Sequence, residues 1–521
     1  FRRGEFRPSA LDLDGDADQP LRADILIRDG AVAAVGLGLA DPAHPARAGL
    51  PPPRVLDGRR RLAIPGLVNA HYHSHDVLLK GMFDPLPLEQ WNLLALPPSY
   101  PRRPKAELRL RTLLGAAECL RAGITTVADM NRVQPFDEED LDVVLAAYNQ
   151  AGIRVAYAPH FSEVPPTVTT PFLTDCVPEA ELWRLSGAPP MFARGEDGLA
   201  RIEAAIIART GSHKLITFAL GPSAPERVRA ETLLRIADVS ARLGIPVFTH
   251  LCESRAAVVH ARHAMPGGSI VELMARASLL NDRLTLAHNV WLTEEEIARL
   301  AAAGASLVLN MVGNLKTRSG VAPVKAMRRA GAHLALGADN CSCSDAQNPF
   351  QVMNAFCTLP AVSDDPDEAP PPAVEALRAA TEGGARAVGL AGRVGAIRPG
   401  MRADIVLLDL GDPSFVPLNS AARQLVFTES GRAVRTVIVD GRVVVQDGRL
   451  TTIDEAALAE EVTEVMPALR ADAAAVRERL EPIFPLLEAA NTRAWAEPVP
   501  LWRYVGGCPA CATRGLRADP A

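Results

Sequence analysis

Residues 65–73 read PGLVNAHYH, an apolar run of strand length that ends in a His-x-His pair. Alternate side chains of a β-strand share one face, so His71 and His73 project into the same space while Tyr72 points the other way. Two imidazoles on one face offer two nitrogen ligands to a single cation. Ordinary buried or surface histidines also occur in such pairs, so the spacing by itself indicates a metal site without establishing one.

Seven further apolar segments of strand length follow along the chain, and each ends in polar residues. The stretches between them, such as residues 106–122 and 227–243, carry apolar residues at helical spacing. Apolar strands that alternate with helices are typical of a parallel sheet covered on its outer face, and eight such units close into a barrel. We therefore predict an α/β fold, a (β/α)8 TIM-like barrel. Its strands are expected within residues 65–73, 123–130, 154–160, 215–223, 246–253, 284–290, 306–311 and 333–340.

Polar or ionisable side chains stand at the end of every predicted strand. In a (β/α)8 barrel the active site lies at the carboxyl ends of the strands. Buried ionisable groups are costly unless they are paired or bound to metal, so a ring of them is hard to explain by packing alone. In strand order these residues are His71 and His73, Asp129, His160, Ser223, His250, His288, Asn310 and Asp339.

With these motifs in place, the chain resembles the amidohydrolase superfamily. Within it, the chain resembles the branch of aminohydrolases and chlorohydrolases that act on nitrogen heterocycles, such as S-adenosylhomocysteine- and adenosine-type deaminases and s-triazine hydrolases. The resemblance spans most of the chain. It rests on PGLVNAHYH at 65–73, the His-x-x-Glu of residues 250–253, AHNVW around His288, GNLKTRSGVAPV with Asn314, and LGADN with Asp339.

The resemblance also implies a small β-sandwich domain built from the N- and C-terminal segments. Residues 392–409 and 434–448 resemble its C-terminal strands, and residues 23–36 (ADILIRDGAVAAVG) would pair with them. We therefore expect four parts. They are residues 1–63 as the N-terminal part of the small β-domain, 64–391 as the hydrolase barrel, 392–450 as the C-terminal part of the small domain, and 451–521 as a helical C-terminal extension and tail.

The same resemblance implies a metal centre. His71, His73, His250 and Asp339 would hold one divalent ion and leave a position open for water, which is the arrangement of a catalytic site. Such an ion lowers the pKa of its water and makes hydroxide available at neutral pH. Asp339 would accept the proton of that water. Zinc suits three nitrogens and a carboxylate, with iron, cobalt or nickel as alternatives, because affinity discriminates poorly among these ions.

A single ion is expected because of an absent lysine. Binuclear members of the superfamily resemble one another in carrying a carboxylated lysine at the end of strand four. Here that strand ends in residues 221–224, GPSA, and Lys214 precedes the strand, at the opposite end of the barrel.

Two further residues receive catalytic roles from the resemblance. Glu253 would protonate a ring nitrogen of the substrate and assist the departure of ammonia. His288 would orient the hydroxide or stabilise the developing negative charge. The alternatives are that Glu253 is a carboxylate at a helix N-terminus and that His288 is an ordinary core histidine.

Four residues are candidate substrate contacts. Tyr72 stands between the paired histidines, where the family usually has threonine or another small residue. Trp91 belongs to an apolar cluster after strand one that forms either a pocket for a planar ring or a packed lid. His160 ends strand three, and Asn314 follows strand seven. Nothing resembles a phosphate-binding loop, so a nucleotide substrate is not supported.

These assignments predict a metal-dependent hydrolase in which metal-bound hydroxide attacks a carbon of a nitrogen heterocycle and ammonia leaves. The same residues would also serve the hydrolysis of a halide, alkylamine or thioalkyl group on a triazine-like ring, or the opening of a cyclic amide. A barrel retained as a non-catalytic binding or structural protein is the third possibility. It is disfavoured because all four ligand positions are kept.

Composition limits the partners. The chain has 521 residues, 48% of them hydrophobic, and a net charge of -6, which gives no basic footprint for nucleic acid. There is no apolar run of roughly 18 residues, and the first residues lack a signal core. We therefore expect a cytoplasmic protein with a small heterocyclic substrate and no membrane or nucleic-acid partner. Family members commonly form oligomers, so a homo-oligomer is expected.

Eight cysteines in a chain of this length do not indicate a disulfide scaffold. Cys341 and Cys343 closely follow Asp339, and Cys508 and Cys511 form a Cys-x-x-Cys pair in the tail. These four thiols either bind a structural zinc that fixes the tail near the rim or are simply unpaired. A metal content of one ion per chain would exclude the structural zinc.

Overall fold

The computed structural model describes residues 9–11, 13, 18–41, 43–47, 54–96, 101–185, 191–362 and 368–504. Their core is a ring of eight parallel strand positions in chain order. The last position, Asp339–Asn340, pairs with Tyr72 and His73 of the first and so closes the ring. The barrel strands are Leu67–His73 (one), Ile124–Asn131 (two), Arg154–Phe161 (three), Ile216–Phe218 with Gly221–Pro222 (four), Val247–Leu251 (five), Leu284–His288 (six), Ser306–Leu309 (seven) and His333–Leu336 with Asp339–Asn340 (eight).

Strands four and five are joined by a few backbone hydrogen bonds, the last of them from the amide of His250 to the carbonyl of Ser223 at 3.2 Å. The backbone amide of Phe248 donates to the carbonyl of Leu220, 2.8 Å away, and Leu220 forms a parallel bridge with Val247. The predicted (β/α)8 barrel is therefore confirmed.

Helices cover the outside of the barrel because their apolar residues recur on one face. In Ala230–Leu243, the residues Leu233, Ile236 and Val239 are buried. This helix ends at Gly244, whose φ of 64° is a left-handed conformation that suits glycine. The main helices after strands one to eight are Lys105–Arg121, Glu138–Ala151, Gly198–Arg209, Ala230–Leu243, Arg255–Ala264 with Ile270–Arg276, Glu294–Ala302, Val324–Arg329, and Pro349–Thr358 with Ala373–Arg378.

The two ends of the chain share a second, seven-stranded sheet, as expected. In spatial order its strands are Arg449–Leu450, Arg442–Gln446, Val434–Val439, Ile405–Asp409, Arg61–Pro65, Ser9–Ala10 and Leu21–Arg22. The hairpin Asp24–Arg28 with Ala31–Gly36 packs its apolar residues, Val32 among them, against Ala63 and Ile405 of this sheet. The predicted limit between residues 63 and 64 falls inside the strand Arg61–Pro65, which pairs with Ile405–Asp409 along its whole length.

A C-terminal extension of two helices, Glu455–Leu480 and Phe484–Ala496, lies against the mouth of the barrel. Its buried Leu469 packs with Trp91. Leu480 and Leu487 pack with Leu94 of the short helix Leu88–Ala95. Among the described residues, none of the helices combines the length and apolarity needed to cross a membrane.

A buried ion pair ties the barrel to the seven-stranded sheet. The guanidinium of Arg154, on strand three, donates two hydrogen bonds of 3.0 Å to the carboxylate of Asp404. Both side chains are buried, at 3% and 1% exposure. Asp404 also accepts from the backbone amide of Asp440 at 2.7 Å. The pair therefore fixes where strand three meets the small sheet.

The substitution Arg154→Met should destabilise the protein strongly. It would leave the Asp404 carboxylate buried without its cation, a change that costs about 3–5 kcal/mol. We expect the urea-unfolding midpoint to fall accordingly. Arg242→Met, which removes an exposed arginine paired with Asp238 and Glu203, is the control and should barely move it. Equal midpoints for the two variants would contradict the assigned role of Arg154.

Candidate metal centre and active site

Four side chains converge at the carboxyl ends of strands one, five and eight. The Nε2 atoms of His71 and His73 lie 3.1 Å apart, and Nε2 of His250 lies 3.3 Å from that of His73. Oδ1 of Asp339 is 3.3 Å from Nε2 of His71 and 3.5 Å from Nε2 of His73. Ligands at about 2.1 Å from a tetrahedral ion stand roughly 3.4 Å apart, so these spacings match a metal cage.

Backbone carbonyls fix the orientation of two of these imidazoles. Nδ1 of His73 donates to the carbonyl of Met130 at 2.7 Å, and Nδ1 of His250 donates to the carbonyl of Ser223 at 2.5 Å. With the proton on Nδ1, each Nε2 presents its lone pair to the centre. Two lone pairs 3.3 Å apart repel each other unless a cation lies between them. The arrangement therefore fits a bound divalent ion.

The protonation states agree with this fit. Burial lowers the pKa of His71 to about 4, and it also lowers the pKa of His73 and of His250, so the imidazoles are neutral at pH 7. Burial opposes ionisation of Asp339, yet the neighbouring imidazoles of His288 and His71 hold the pKa of its carboxyl below the ordinary value. Neutral imidazoles and an ionised carboxylate are the forms that bind metal.

Glu253 and His288 lie beside this cage. Oε2 of Glu253 is 3.3 Å from Nε2 of His288, which in turn is 3.9 Å from Oδ2 of Asp339. Burial raises the pKa of Glu253 to about 7, and the charge of Asp339 adds to the rise. The Glu253 carboxyl can therefore carry a proton near neutral pH, as a general acid must.

His288 is held by two asparagines. Its Nδ1 donates to Oδ1 of Asn314 at 2.8 Å. Nδ2 of Asn310 lies 3.2 Å from Nδ1 and 3.4 Å from Nε2 of His288, so it is not directed at one ring nitrogen in particular. We assign the Nδ1 proton to the Asn314 bond, which leaves Nε2 of His288 facing Glu253 and Asp339.

Four residues at the rim adopt left-handed backbone conformations that non-glycine residues rarely take. They are Cys252 (φ 46°), His288 (φ 74°), Asn289 (φ 57°) and Asp339 (φ 68°). Each such residue costs about 1–3 kcal/mol and persists only where the surroundings enforce it. Two of the four, His288 and Asp339, are catalytic candidates. The fold therefore holds these two residues in place at a cost in stability.

Asp129, at the end of strand two, has a structural role instead. It is fully buried and accepts hydrogen bonds from the backbone amide and hydroxyl of Ser74, at 2.9 and 2.7 Å, and from the hydroxyl of Tyr148 at 2.7 Å. These bonds fix the residue that follows His73.

A cavity of about 580 Å³ opens above the centre and is lined by His73, His250, Glu253, His288 and Asp339. Two of the predicted substrate contacts, Trp91 and His160, also line it. His160 is buried, and neither of its ring nitrogens has a hydrogen-bond partner within the described part of the chain. The indole of Trp91 donates to the hydroxyl of Ser342 at 3.2 Å, which fixes its plane at the cavity wall.

The other two predicted contacts do not line the cavity, which corrects the sequence-based assignment. Tyr72 is fully buried on the outer face of strand one and points at the helix Lys105–Arg121, where a Cβ on Gly115 would lie 1.8 Å from its hydroxyl. Because neighbouring residues of a strand face opposite sides, Tyr72 points away from the barrel interior that His71 and His73 face. Asn314 acts instead on His288, through the bond described above.

Sequence reasoning missed two arginines that line the cavity. Arg132 directly follows the end of strand two, and Arg227 comes four residues after Ser223 of strand four. Both follow strand ends, so extending the same rule by a few residues would have found them.

The C-terminal extension braces the loops that carry the catalytic candidates. The guanidinium of Arg255 lies between the rings of Trp291 and Trp495, 5.6 and 4.9 Å from their centroids, and donates to the carbonyl of Glu497 at 2.6 Å. Arg503 donates to the carbonyls of Val290 and Leu292 at 2.8 and 2.7 Å. The loops that follow Glu253 and His288 are therefore both tied to residues 495–503.

Half of the suggested four-cysteine site lies outside the described residues, because Cys508 and Cys511 are not among them. Cys341 and Cys343 are buried in the short helix Cys341–Ser344. Sγ of Cys343 is 3.6 Å from Oδ2 of Asp339. The structural zinc stays a prediction.

Residues 62–444 match the model of the Amidohydrolase family. This chain belongs to the amidohydrolase family. It is 32% identical to the 5-methylthioadenosine/S-adenosylhomocysteine deaminase of Moorella thermoacetica over 415 residues, which cover 79% of this chain and 88% of that protein.

Two solved structures are similar to this amidohydrolase. An adenosine deaminase from Xanthomonas campestris with bound zinc superposes with a TM-score of 0.74 at 29% identity, covering 89% of this chain and 98% of that one. The atrazine chlorohydrolase of Arthrobacter aurescens TC1, complexed with zinc, gives a TM-score of 0.75 at 24% identity, covering 89% and 99%, and supports the fold alone. The predicted family and enzyme class are therefore confirmed.

Asn314→Leu should lower kcat about 10- to 100-fold, with a smaller effect on KM, because loss of a group that orients a reacting imidazole has effects of that size. Asn314→Asp keeps an acceptor oxygen and should retain more of the rate than Asn314→Leu. Steady-state kinetics on a substrate found as described below provide the measurement. A leucine variant with unchanged kcat would show that His288 is not positioned by Asn314.

Proposed function

We propose that this amidohydrolase is a metal-dependent deaminase that replaces an amino group on a nitrogen heterocycle with oxygen and releases ammonia. The observation that carries the proposal is Glu253, a buried carboxyl with a raised pKa, 3.3 Å from His288 at one wall of the cavity. An amidine-type carbon becomes electrophilic when its ring nitrogen is protonated, and Glu253 provides that proton.

We propose one divalent ion per chain, held by His71, His73, His250 and Asp339, with zinc as the first choice. When bound, such an ion makes hydroxide available at neutral pH. Its expected ligand spacing agrees with the 3.1–3.5 Å separations of the donor atoms. Zinc is bound in the similar structure from Xanthomonas campestris.

The residues of this chain divide the proton transfers. Asp339 accepts a proton from the attacking water through its carboxylate. Nε2 of His288, with its proton on Nδ1, accepts a hydrogen bond from that water and holds it towards the reacting carbon. Glu253 gives its proton to the ring nitrogen and then takes up the second proton of the water from the hydroxyl of the adduct as the carbonyl forms, while the proton taken up by Asp339 leaves with the amine as ammonia. The net reaction consumes one water and forms one carbonyl.

A small heterocycle is the proposed partner, and the cavity of about 580 Å³ has room for one that carries a substituent. Adenine nucleosides with a modified 5′ position are the first compounds to test, because relatives bear deaminase names of that kind. A homo-oligomeric state and a cytoplasmic location stay predictions from the sequence.

Ammonia release should be detected from at least one member of a panel of adenine nucleosides, aminopyrimidines, pterins and aminotriazines. Glu253→Gln cannot supply a proton and should lose roughly 100-fold or more of the rate while it keeps its metal. Glu163→Gln, which alters another cavity-lining acid two residues after the end of strand three, is the matched control. Release of chloride, alkylamine or thiol without ammonia would replace deamination with the alternative hydrolysis.

Metal analysis of the full chain should find about one zinc per chain, and activity should disappear on chelation and return with zinc. His250→Ala should bind far less metal because one of four ligands is lost. A second ion that persists in His250→Ala would instead place zinc on the cysteines. A chain that stays active without metal would contradict the proposed centre.

A further inference from the structure

The rim of the cavity has two sides of different chemical character. Strands one, five, six and eight carry the metal ligands, Glu253 and His288. Strands two, three and four lie next to one another on the remaining side, and they lead to Arg132, His160 and Arg227. The second side has no role in the proton transfers described above.

The two arginines face the cavity without an acidic partner. Arg132 donates to the side-chain oxygen of Gln134 and to the carbonyl of Leu96. Arg227 donates to the hydroxyls of Thr169 and Ser223, at 3.3 and 3.5 Å. Within the described ranges, neither guanidinium has a carboxylate oxygen within ion-pair distance.

The nearby acids do not neutralise these arginines. Glu163 lines the cavity, but its carboxylate accepts from the exposed Arg229 at 2.6 Å and from Thr232 at 2.9 Å. Oε2 of the buried Glu226 has no hydrogen-bond partner in the described structure, so this carboxylate is not paired with Arg227. Glu89 accepts from Ser254 at 2.6 Å.

His160 stands between the arginines and the metal centre. Its ring centroid is 5.7 Å from that of His73 and 5.8 Å from that of His250. Both ring nitrogens of His160 are buried and have no hydrogen-bond partner in the described structure, so they are available to a ligand.

We propose that Arg132, Arg227 and His160 form an anion subsite that binds a negatively charged oxygen of the substrate. The substrate is then an amino-substituted heterocycle whose amine meets Glu253 and the metal centre, and whose anionic oxygen lies on the side of strands two to four. This inference rests on the proposed function, because that function fixes which side of the cavity holds the amine.

Electrostatics explain why such a subsite favours an anion. Burial and the neighbouring Arg227 lower the pKa of Arg132 to about 10, which means that its positive charge is poorly compensated in the free protein. An anionic oxygen would relieve this repulsion and accept charge-assisted hydrogen bonds from the guanidinium groups. The oxygen is either an ionised ring oxygen or a carboxylate on a substituent, and the two sources share the same recognition chemistry.

The test uses zinc-loaded full-length protein and two pairs of compounds that present an equivalent ring amine. S-adenosylhomocysteine and 5-methylthioadenosine differ by a group that carries a carboxylate, and ammelide and melamine differ by ring oxygens that ionise. In at least one pair we expect kcat/KM to be about tenfold or more higher for the member that carries the anionic oxygen, as for a hydrogen bond to a charged group. The pair that shows it identifies the source of the oxygen.

Variants then assign the preference to the arginines. Arg132→Gln and Arg227→Gln should each reduce the anionic-to-neutral ratio about tenfold, mainly through KM. Arg227→Lys keeps the charge and should reduce the ratio less. Arg242→Gln, on the exposed face of Ala230–Leu243, is the control and should leave the ratio unchanged. Equal ratios in both pairs, or equal losses for both members of a pair, would overturn the subsite.

Binding without turnover separates the two proposals. Calorimetry should show that orotate binds the zinc-loaded protein more tightly than uracil, and that Arg227→Gln removes the difference. If no compound in the panel releases ammonia while this preference holds, deamination is wrong and the anion subsite stands. If ammonia is released and orotate has no advantage over uracil, deamination stands and the subsite is wrong.

Discussion

Three imidazoles and one carboxylate meet at a point where their mutual contacts are unfavourable without a cation. The lone pairs of His73 and His250 face each other at 3.3 Å, because backbone carbonyls at Met130 and Ser223 occupy their other nitrogens. The barrel brings these groups together from strands one, five and eight. The strained backbone at Asp339 serves the same constraint, because it directs the Asp339 carboxylate at the point where the imidazoles meet.

The rigidity needed for this centre comes from distant parts of the chain. The buried Arg154–Asp404 pair anchors strand three to the small sheet below. At the opposite end, the C-terminal extension holds the loops after strands five and six through Arg255 and Arg503. Glu253 and His288 are thus followed by loops that are restrained by residues more than two hundred positions later in the chain. Such restraint suits a site in which two groups must keep a separation of 3.3 Å.

The strand ends were predictable from the sequence because apolar runs that stop at polar residues mark the barrel rim. This rule correctly brought together His71, His250 and Asp339, which lie far apart in the chain. The rule failed for Tyr72. Strand alternation turns its side chain to the outer face of the barrel, where it lies over Gly115. The role of Asn314 was also missed, because its hydrogen bond joins the end of strand six to the helix that follows strand seven, a contact that no local pattern encodes.

The two arginines show a different limit of sequence reasoning. Their charges are visible in the sequence, but only the fold shows that neither has an acidic partner among the described residues, because Glu163 pairs with Arg229 and Oε2 of the buried Glu226 has no partner. A cavity with acids on one wall and unpaired cations on the opposite wall orients any polar ligand within it. The wall that carries the metal ligands and Glu253 determines which leaving group is released. The wall that carries Arg132 and Arg227 selects among the heterocycles that bear this group. In this chain, changes on strands two to four can therefore alter the choice of substrate without any change to the metal centre.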